Sequence, residues 1–301
     1  MRTDERLMRA YNTAKEISFD DSSRLVFLSD VHRGDNSVSD EFAHNQNIYY
    51  HALNHYNNEG YTYVEVGDGD ELWEHAKFEH VRSAHSDVYW LMSQFHKADR
   101  LVMLYGNHNM HFRSHNFVKR HLNEFYDEYL EEQGELFPGI EVHESIVLKH
   151  KETKQKIFVV HGHQGDFLND QFWRFSMAWM RYFWRIMHII GFRNPASPAK
   201  NRVKQHKIER NFSDFIKRHG VILICGHTHR PRFPNPGEVP YFNDGCCVHP
   251  RGISGIEIVN GEIMLVDWRV RPNEKGSLYI SKKIVRGPQP VSAYLLIEKN
   301  G

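Results

Sequence analysis

Five short clusters in this chain bring carboxylate, amide and imidazole side chains close enough together to hold cations: Asp30-Val31-His32, Gly67-Asp68, Gly106-Asn107-His108, His161-Gly162-His163 and Gly226-His227-Thr228-His229. Mixed oxygen and imidazole donors suit manganese, iron, zinc or cobalt. Asp30 and His32, two apart on an extended turn, can point at one ion. Asp68 is a carboxylate able to bridge two ions, and Asn107 offers a carbonyl oxygen. His227 and His229 can project to the same side of a strand end and reach different ions. Two divalent ions about 3.5–4 Å apart lower the pKa of a shared water and clamp the attacking and leaving oxygens of a phosphoester. Hydrolysis of a phosphoester near neutral pH is therefore the chemistry these residues could do.

No single cluster is diagnostic. Asp-x-His is commonplace, and Gly-Asp after a strand is more often a turn than a ligand. Two His-x-His pairs are roughly what 22 histidines among 301 residues give by chance. Position supplies the weight. Apolar runs at 25–28, 61–66, 101–105, 157–160 and 221–225 each end abruptly in one of the clusters. Such runs read as buried strands that deliver side chains at their carboxyl ends.

Between the first three runs lie helical stretches near 40–58 and 79–98, so the first half predicts strand–helix alternation and a largely parallel sheet. From about Ile140 the texture changes to shorter strand pieces, including 141–148, 255–259 and 262–266. The last two flank Asn260-Gly261, a strong hairpin signal. The expectation is one α/β domain over residues 1–301 with a helical insertion at 167–210.

In that insertion Phe172, Phe175, Trp179, Phe183, Met187 and Ile190 fall on one side at helical spacing, with Arg174, Arg181 and Arg185 opposite. The span carries nine Lys or Arg against Asp170 and Glu209 in a chain whose formal net charge is zero. A core-packed helix with a solvated basic face is the plain reading. The basic excess favours a lid that also meets an anionic substrate or a membrane surface, with Arg174, Arg181, Arg185 and Lys204 as candidate anion contacts.

The zero net charge argues against whole-molecule attraction to nucleic acid or an anionic membrane. Residues 1–23 are charged and read as neither secretory signal nor membrane span. Cys225, Cys246 and Cys247 lack zinc-type spacing and a disulfide pattern. A cytoplasmic protein is expected, with peripheral contact at the inner face of the membrane through 167–210.

The ordered set resembles the calcineurin-like metallophosphoesterases, whose pattern is Asp-x-His, Gly-Asp, Gly-Asn-His followed by Asp or Glu, a strand-terminal His, and Gly-His-x-His. The likeness runs from about Leu25 to about Val266. It implies two mixed β-sheets packed together and flanked by helices, a four-layer α/β (α+β) sandwich. It implies two divalent metal ions, manganese first among them, and a metal-bridging hydroxide that attacks a phosphomonoester, phosphodiester or pyrophosphate. One ion would be held by Asp30, His32, Asp68 and His229, the other by Asp68, Asn107, His161 and His227. His108 would give a proton or hydrogen bond to the phosphoryl or leaving group. Asn109 stands where the family has a carboxylate; an amide can orient His108 without favouring its charged form. His163 competes with His161 as the strand-terminal ligand, and Asp166 could support that loop or cap the following helix.

The Asp-Arg pair of Ser/Thr protein phosphatases is absent from Gly69-Asp70-Glu71-Leu72-Trp73, which weakens that alternative. The stretches 27–32 and 67–73 and the helical insertion are more similar to UDP-diacylglucosamine pyrophosphatases, which cover their metals with an apolar, basic lid. The chain departs from that pattern at His108, where those enzymes carry Arg, and over 242–251. The expected substrate is a phosphorylated small molecule or a lipid-linked phosphate rather than a specific nucleic acid. The remaining alternative is a non-catalytic metal-binding scaffold, which a broken ligand set would mark.

Overall fold

The computed structural model describes residues 3–127, 131–184 and 202–294. The chain opens with α1 (Thr3–Asn12) and strands β1 (Lys15–Phe19) and β2 (Arg24–Leu28), then α2 (Gln46–Asn58) and β3 (Thr62–Val66). Next come α3 (Phe78–Ala84), α4 (Ser86–Lys97), β4 (Leu101–Leu104) and α5 (His115–Leu122). A small hairpin, β5 (Glu124–Asp127) with β6 (Glu132–Glu135), precedes β7 (Val142–His143), β8 (Ser145–His150) and β9 (Lys156–Val160). Helices α6 (Phe167–Gln171), α7 (Trp173–Trp179) and α8 (Arg202–His219) lead to β10 (Ile222–Cys225) and β11 (Tyr241–Asn243). The chain ends in β12 (Gly252–Val259), β13 (Glu262–Pro272) and β14 (Leu278–Pro290).

Two sheets result, with strand orders β14-β13-β12-β2-β3-β4-β7 and β1-β8-β9-β10-β11. In the first, β2, β3, β4 and β7 run parallel, and β12, β13 and β14 add an antiparallel flank. Alternation sets the layers. Leu25 and Phe27 point between the sheets to meet Ile146, Ile157, Ile224 and Phe242, while Val26 and Leu28 point outward to a core shared with Tyr49, Leu53, Met92 and Phe95. The outer face of the second sheet, with Val147, Phe158, Val160 and Leu223, packs on Leu7 and Ala10 of α1 and on Phe212, Phe215 and Ile216 of α8. Helices therefore cover both outer faces, giving the four-layer arrangement.

The change of texture near Ile140 marks the entry into the second sheet, but the division is not between halves of the chain. The amino-terminal β1 pairs in parallel with β8, and β12 returns to pair with β2. The helical stretch near 79–98 is two helices parted at His85, whose imidazole is buried between Asp40 (Nε2 to Oδ2, 2.8 Å) and Gln46 (Nδ1 to Oε1, 3.1 Å). Asn260 (φ 54°) and Gly261 (φ 72°) form the left-handed turn that joins β12 to β13. The three cysteines are free and buried. Among the described residues no helix is long and apolar enough to cross a membrane.

The apolar stripe of the insertion is exposed along its described part: Phe172 by 52%, Phe175 by 71%, Trp179 by 50%, with Tyr182 on the same spacing at 73%. The stripe is therefore not packed into the core, although Trp173 at the start of α7 packs against it. Of the other stripe positions, Met187 and Ile190 lie outside the described residues, as does the side chain of Phe183.

Candidate metal centre

All the strands that precede the five clusters end on one side of the layered core, and each cluster lies in the turn that follows its strand. Those turns are strained. Asp30, His32, Asp68, His227 and His229 all have φ between 50° and 65°, and they are five of the eleven non-glycine residues with positive φ among the described residues. Such conformations cost about 1–3 kcal/mol each and persist where surrounding structure holds them. The glycines beside them are fixed by close approach. A Cβ on Gly106 would stand 2.2 Å from Asp68 Oδ1, and one on Gly226 would stand 2.0 Å from Ser29 Oγ and 2.4 Å from Asp30 Oδ2.

Among the described residues the side chains form three groups, one of them made of His32, Glu71 and His108. Asp30, His32 and His229 bring their donor atoms within 4.8 Å of one another, and so do Asp68, His161 and His227. Asp30 Oδ1 lies 2.9 Å from His229 Nε2 and 3.8 Å from His32 Nε2. Asp68 Oδ2 lies 3.0 Å from His161 Nε2 and 4.0 Å from His32 Nε2, so this one oxygen sits between those two groups. Each carboxylate is anchored by its other oxygen. Asp30 Oδ2 accepts from Ser29 Oγ (2.6 Å) and the His227 backbone N–H (2.7 Å), and Asp68 Oδ1 accepts from the His108 backbone N–H (2.8 Å).

The imidazoles are held through the nitrogen that faces away. His161 Nδ1 lies 2.9 Å from the Val66 carbonyl, and His32 Nδ1 lies 2.8 Å from Glu71 Oε2. Both contacts leave Nε2 with a lone pair turned to the centre. Asp30 Oδ1, His32 Nε2, Asn107 Oδ1, His161 Nε2 and His227 Nε2 are all buried without an aligned hydrogen-bond partner. Buried polar atoms in native proteins are nearly always paired. Four of these atoms belong to those two groups, with Asp30 Oδ1, His32 Nε2, His161 Nε2 and His227 Nε2 close to one another without hydrogen-bond alignment, an arrangement that fits divalent cations.

The charges of these groups compensate one another locally. Burial disfavours the charged form of His229, but Asp30 outweighs it and the imidazole pKa is pushed up to about 10. Burial likewise opposes ionisation of Asp30, and the neighbouring His229 and His161 overcome it to hold that carboxyl well below the usual range. His227 goes the other way, lowered chiefly by its burial.

His161 is the member of its pair that meets Asp68. His163 is equally buried, but its Nε2 lies 3.8 Å from Asp170 Oδ1, outside the group. Asp166 stands at the N-cap of α6 without a side-chain capping bond. Its Oδ2 accepts from Asn169 Nδ2 of α6 at 2.9 Å and lies 3.5 Å from His227 Nε2, so one oxygen links the helix to the centre.

His108 is placed by residues the spacing did not single out. Its ring stacks on Trp73 (centroids 4.1 Å, 21°) and meets His32 edge to face (4.6 Å, 87°), with Nδ1 2.6 Å from Glu71 Oε2. Asn109 does not orient it, because Asn109 Oδ1 accepts from the Gly106 backbone N–H at 2.6 Å. Beneath the same turn the buried Arg33 joins Glu65 (2.7 and 3.0 Å) and Asp70 (2.8 Å), with Tyr89 also donating to Asp70.

Among the candidate anion contacts, Arg181 donates to the carbonyls of Leu72 (2.7 Å) and Trp73 (3.0 Å), tying the insertion to the turn that carries Glu71. Arg174 is exposed, its guanidinium 5.5 Å from the Trp173 ring centroid. Arg185 and the Lys204 side chain lie outside the described residues. Beside the His108 turn is a cavity of about 820 Å³ whose lining includes His111, Arg113, Phe117, Phe172, Trp173 and Arg174.

Residues 23–231 match the family model described as calcineurin-like phosphoesterase. No curated protein matches the sequence. Among solved structures, the chain is similar to Vps29 from Chaetomium thermophilum at 11% identity and a TM-score of 0.36, covering 90% of this chain and 99% of that one. It is also similar to a putative 5'-nucleotidase from Staphylococcus aureus, solved in complex with alpha-ketoglutarate, at 14% identity and a TM-score of 0.32. That likeness covers 92% of this chain and 56% of the nucleotidase.

Proposed function

Because the chain belongs to the calcineurin-like phosphoesterase family, we propose that it hydrolyses a phosphoester or phosphoanhydride bond with two divalent ions. Asp30, His32, Asp68 and His229 would hold one, and Asp68, Asn107, His161 and His227 the other. The observation that carries this reading is the pair of groups formed by Asp30, His32 and His229 and by Asp68, His161 and His227, each with buried donor atoms lacking an aligned partner and with Asp68 Oδ2 between them. When bound, the ions supply a nucleophile at neutral pH and neutralise charge on the phosphoryl oxygens.

The protein's own residues do the rest. Val66 and Glu71 fix the tautomers of His161 and His32. His108, with its Nδ1 turned to Glu71, presents Nε2 to a phosphoryl or leaving-group oxygen as a hydrogen-bond or proton donor. Proton donation of that kind contributes about 10²–10⁴-fold to rate. Manganese is the proposed ion, with iron, zinc and cobalt competent for the same donors.

A second, finer reading concerns the substrate. The cavity lined by Met110 and His111, which follow His108 in the chain, mixes exposed aromatic faces (Phe172, Phe175) with Arg113 and Arg174. That favours a phosphate ester with an apolar portion over a small polar monoester.

The test is hydrolysis of bis(p-nitrophenyl) phosphate and p-nitrophenyl phosphate by chelator-stripped protein, with and without manganese, alongside Asp68→Ala. Manganese-restored activity that Asp68→Ala abolishes supports the reading. Tight manganese binding without turnover of these or longer-chain phosphate esters favours a scaffold. Equal turnover of short and long esters removes the amphiphile reading.

A further inference from the structure

We propose that Glu71 is a positioning residue shared by two imidazoles, coupling the metal-facing His32 to His108 in place of the carboxylate that would otherwise follow His108 in the chain. This rests on the hydrolase reading of the site.

The geometry is specific to one oxygen. Glu71 Oε2 makes a hydrogen bond with His32 Nδ1 at 2.8 Å and a close ion-pair contact, without hydrogen-bond alignment, with His108 Nδ1 at 2.6 Å. Its other oxygen, Oε1, accepts from the backbone N–H groups of Trp73 (3.1 Å) and Glu74 (3.2 Å), which fixes the carboxylate to its own turn. Glu71 is buried, and so is His32, so neither contact is a solvent-exposed ion pair of small worth. The position after His108 is occupied by Asn109, which is fully buried and committed to the Gly106 backbone N–H. The carboxylate in contact with His108 Nδ1 therefore comes from a turn thirty-seven positions earlier in the chain. Trp73, two residues on, closes the other face of the ring.

Sharing has a consequence that a dedicated partner lacks. A carboxylate serving only His108 would affect turnover and leave metal affinity alone. One serving only His32 would do the reverse. Glu71 serves both, so its loss must appear in both measurements, and the two effects come from a single atom.

Manganese titration of stripped wild-type protein and of Glu71→Gln, by calorimetry, is paired with kcat and KM of the manganese-loaded proteins on phenyl and p-nitrophenyl esters. The expected result is manganese affinity weakened about 10–100-fold, the usual effect of losing an outer-shell partner. It is accompanied by a fall in kcat that is larger for the phenyl ester, whose poorer leaving group needs the proton more, with KM little changed. Unchanged manganese affinity, or an equal fall in kcat for both esters, overturns the proposal. Glu71→Asp, which keeps the charge, carries the same readouts if Glu71→Gln does not fold. If wild-type protein binds manganese but cleaves neither ester, the hydrolase reading fails separately, and the titration alone decides whether Glu71 holds His32.

Discussion

His161 and Val66 are joined across the two sheets: the imidazole at the end of β9 donates from Nδ1 to the carbonyl at the end of β3, 2.9 Å away. One contact thus fixes a tautomer and registers one sheet against the other where the donor groups gather.

Replacing His161 with alanine removes one donor of the group it forms with Asp68 and His227. The expected outcome is a protein that retains about one ion fewer than wild type and loses more than roughly 100-fold in hydrolysis, beyond the effect of losing an outer-shell partner. Elemental analysis after saturation and desalting checks the first part, and steady-state turnover the second.

Gly226→Ala places a methyl group 2.0 Å from Ser29 Oγ and 2.4 Å from Asp30 Oδ2. Both atoms are pinned, Ser29 also lying 2.7 Å from Asp244 Oδ1, so neither can yield cheaply. Manganese binding should fall with the displacement of Asp30. A calorimetric titration indistinguishable from wild type would show that the turn relaxes freely.

Arg33 is fully buried between Glu65 and Asp70. Removing one member of a buried charge cluster leaves the others uncompensated, at about 3–5 kcal/mol. Arg33→Met should lose stability on that scale in urea unfolding. Arg33→Lys should also lose stability, because an ammonium cannot reproduce the paired contacts to Glu65.

Asp40 predicts a pH dependence. Burial raises its pKa, but the hydrogen bond from His85 and the backbone N–H groups outweigh burial and the net shift is downward. A carboxyl lowered in the folded state adds stability above its unfolded value of about 4, and that stability is lost as pH falls through the lower folded value. Asp40→Asn should therefore be destabilised by about 1–3 kcal/mol near neutral pH. The gap to wild type should close in chemical unfolding below about pH 4.

The strands and their clusters were legible because a parallel strand buried on both faces must be apolar along its length, as residues 25–28 and 222–225 are. Glu71 was legible only as part of a polar turn, since its role depends on two imidazoles brought to it by other strands. Glu65 hides inside an apolar run, and its partner Arg33 sits on a different turn. Periodicity identified the stripe containing Phe172, Phe175 and Trp179, but it cannot say whether anything covers a stripe, and here it is exposed. Strand β1 escaped because it is an edge strand with one buried residue, Phe19.

Strand order also bears on synthesis at the ribosome. Strand β2, which delivers Asp30, is flanked by β3 on one side and by β12 on the other. The Asp30 carbonyl accepts from Cys247 N–H at 3.1 Å. The first of these clusters to be translated is therefore the last to be enclosed, and a nascent chain holds that apolar edge open until residues near 259 have left the exit tunnel.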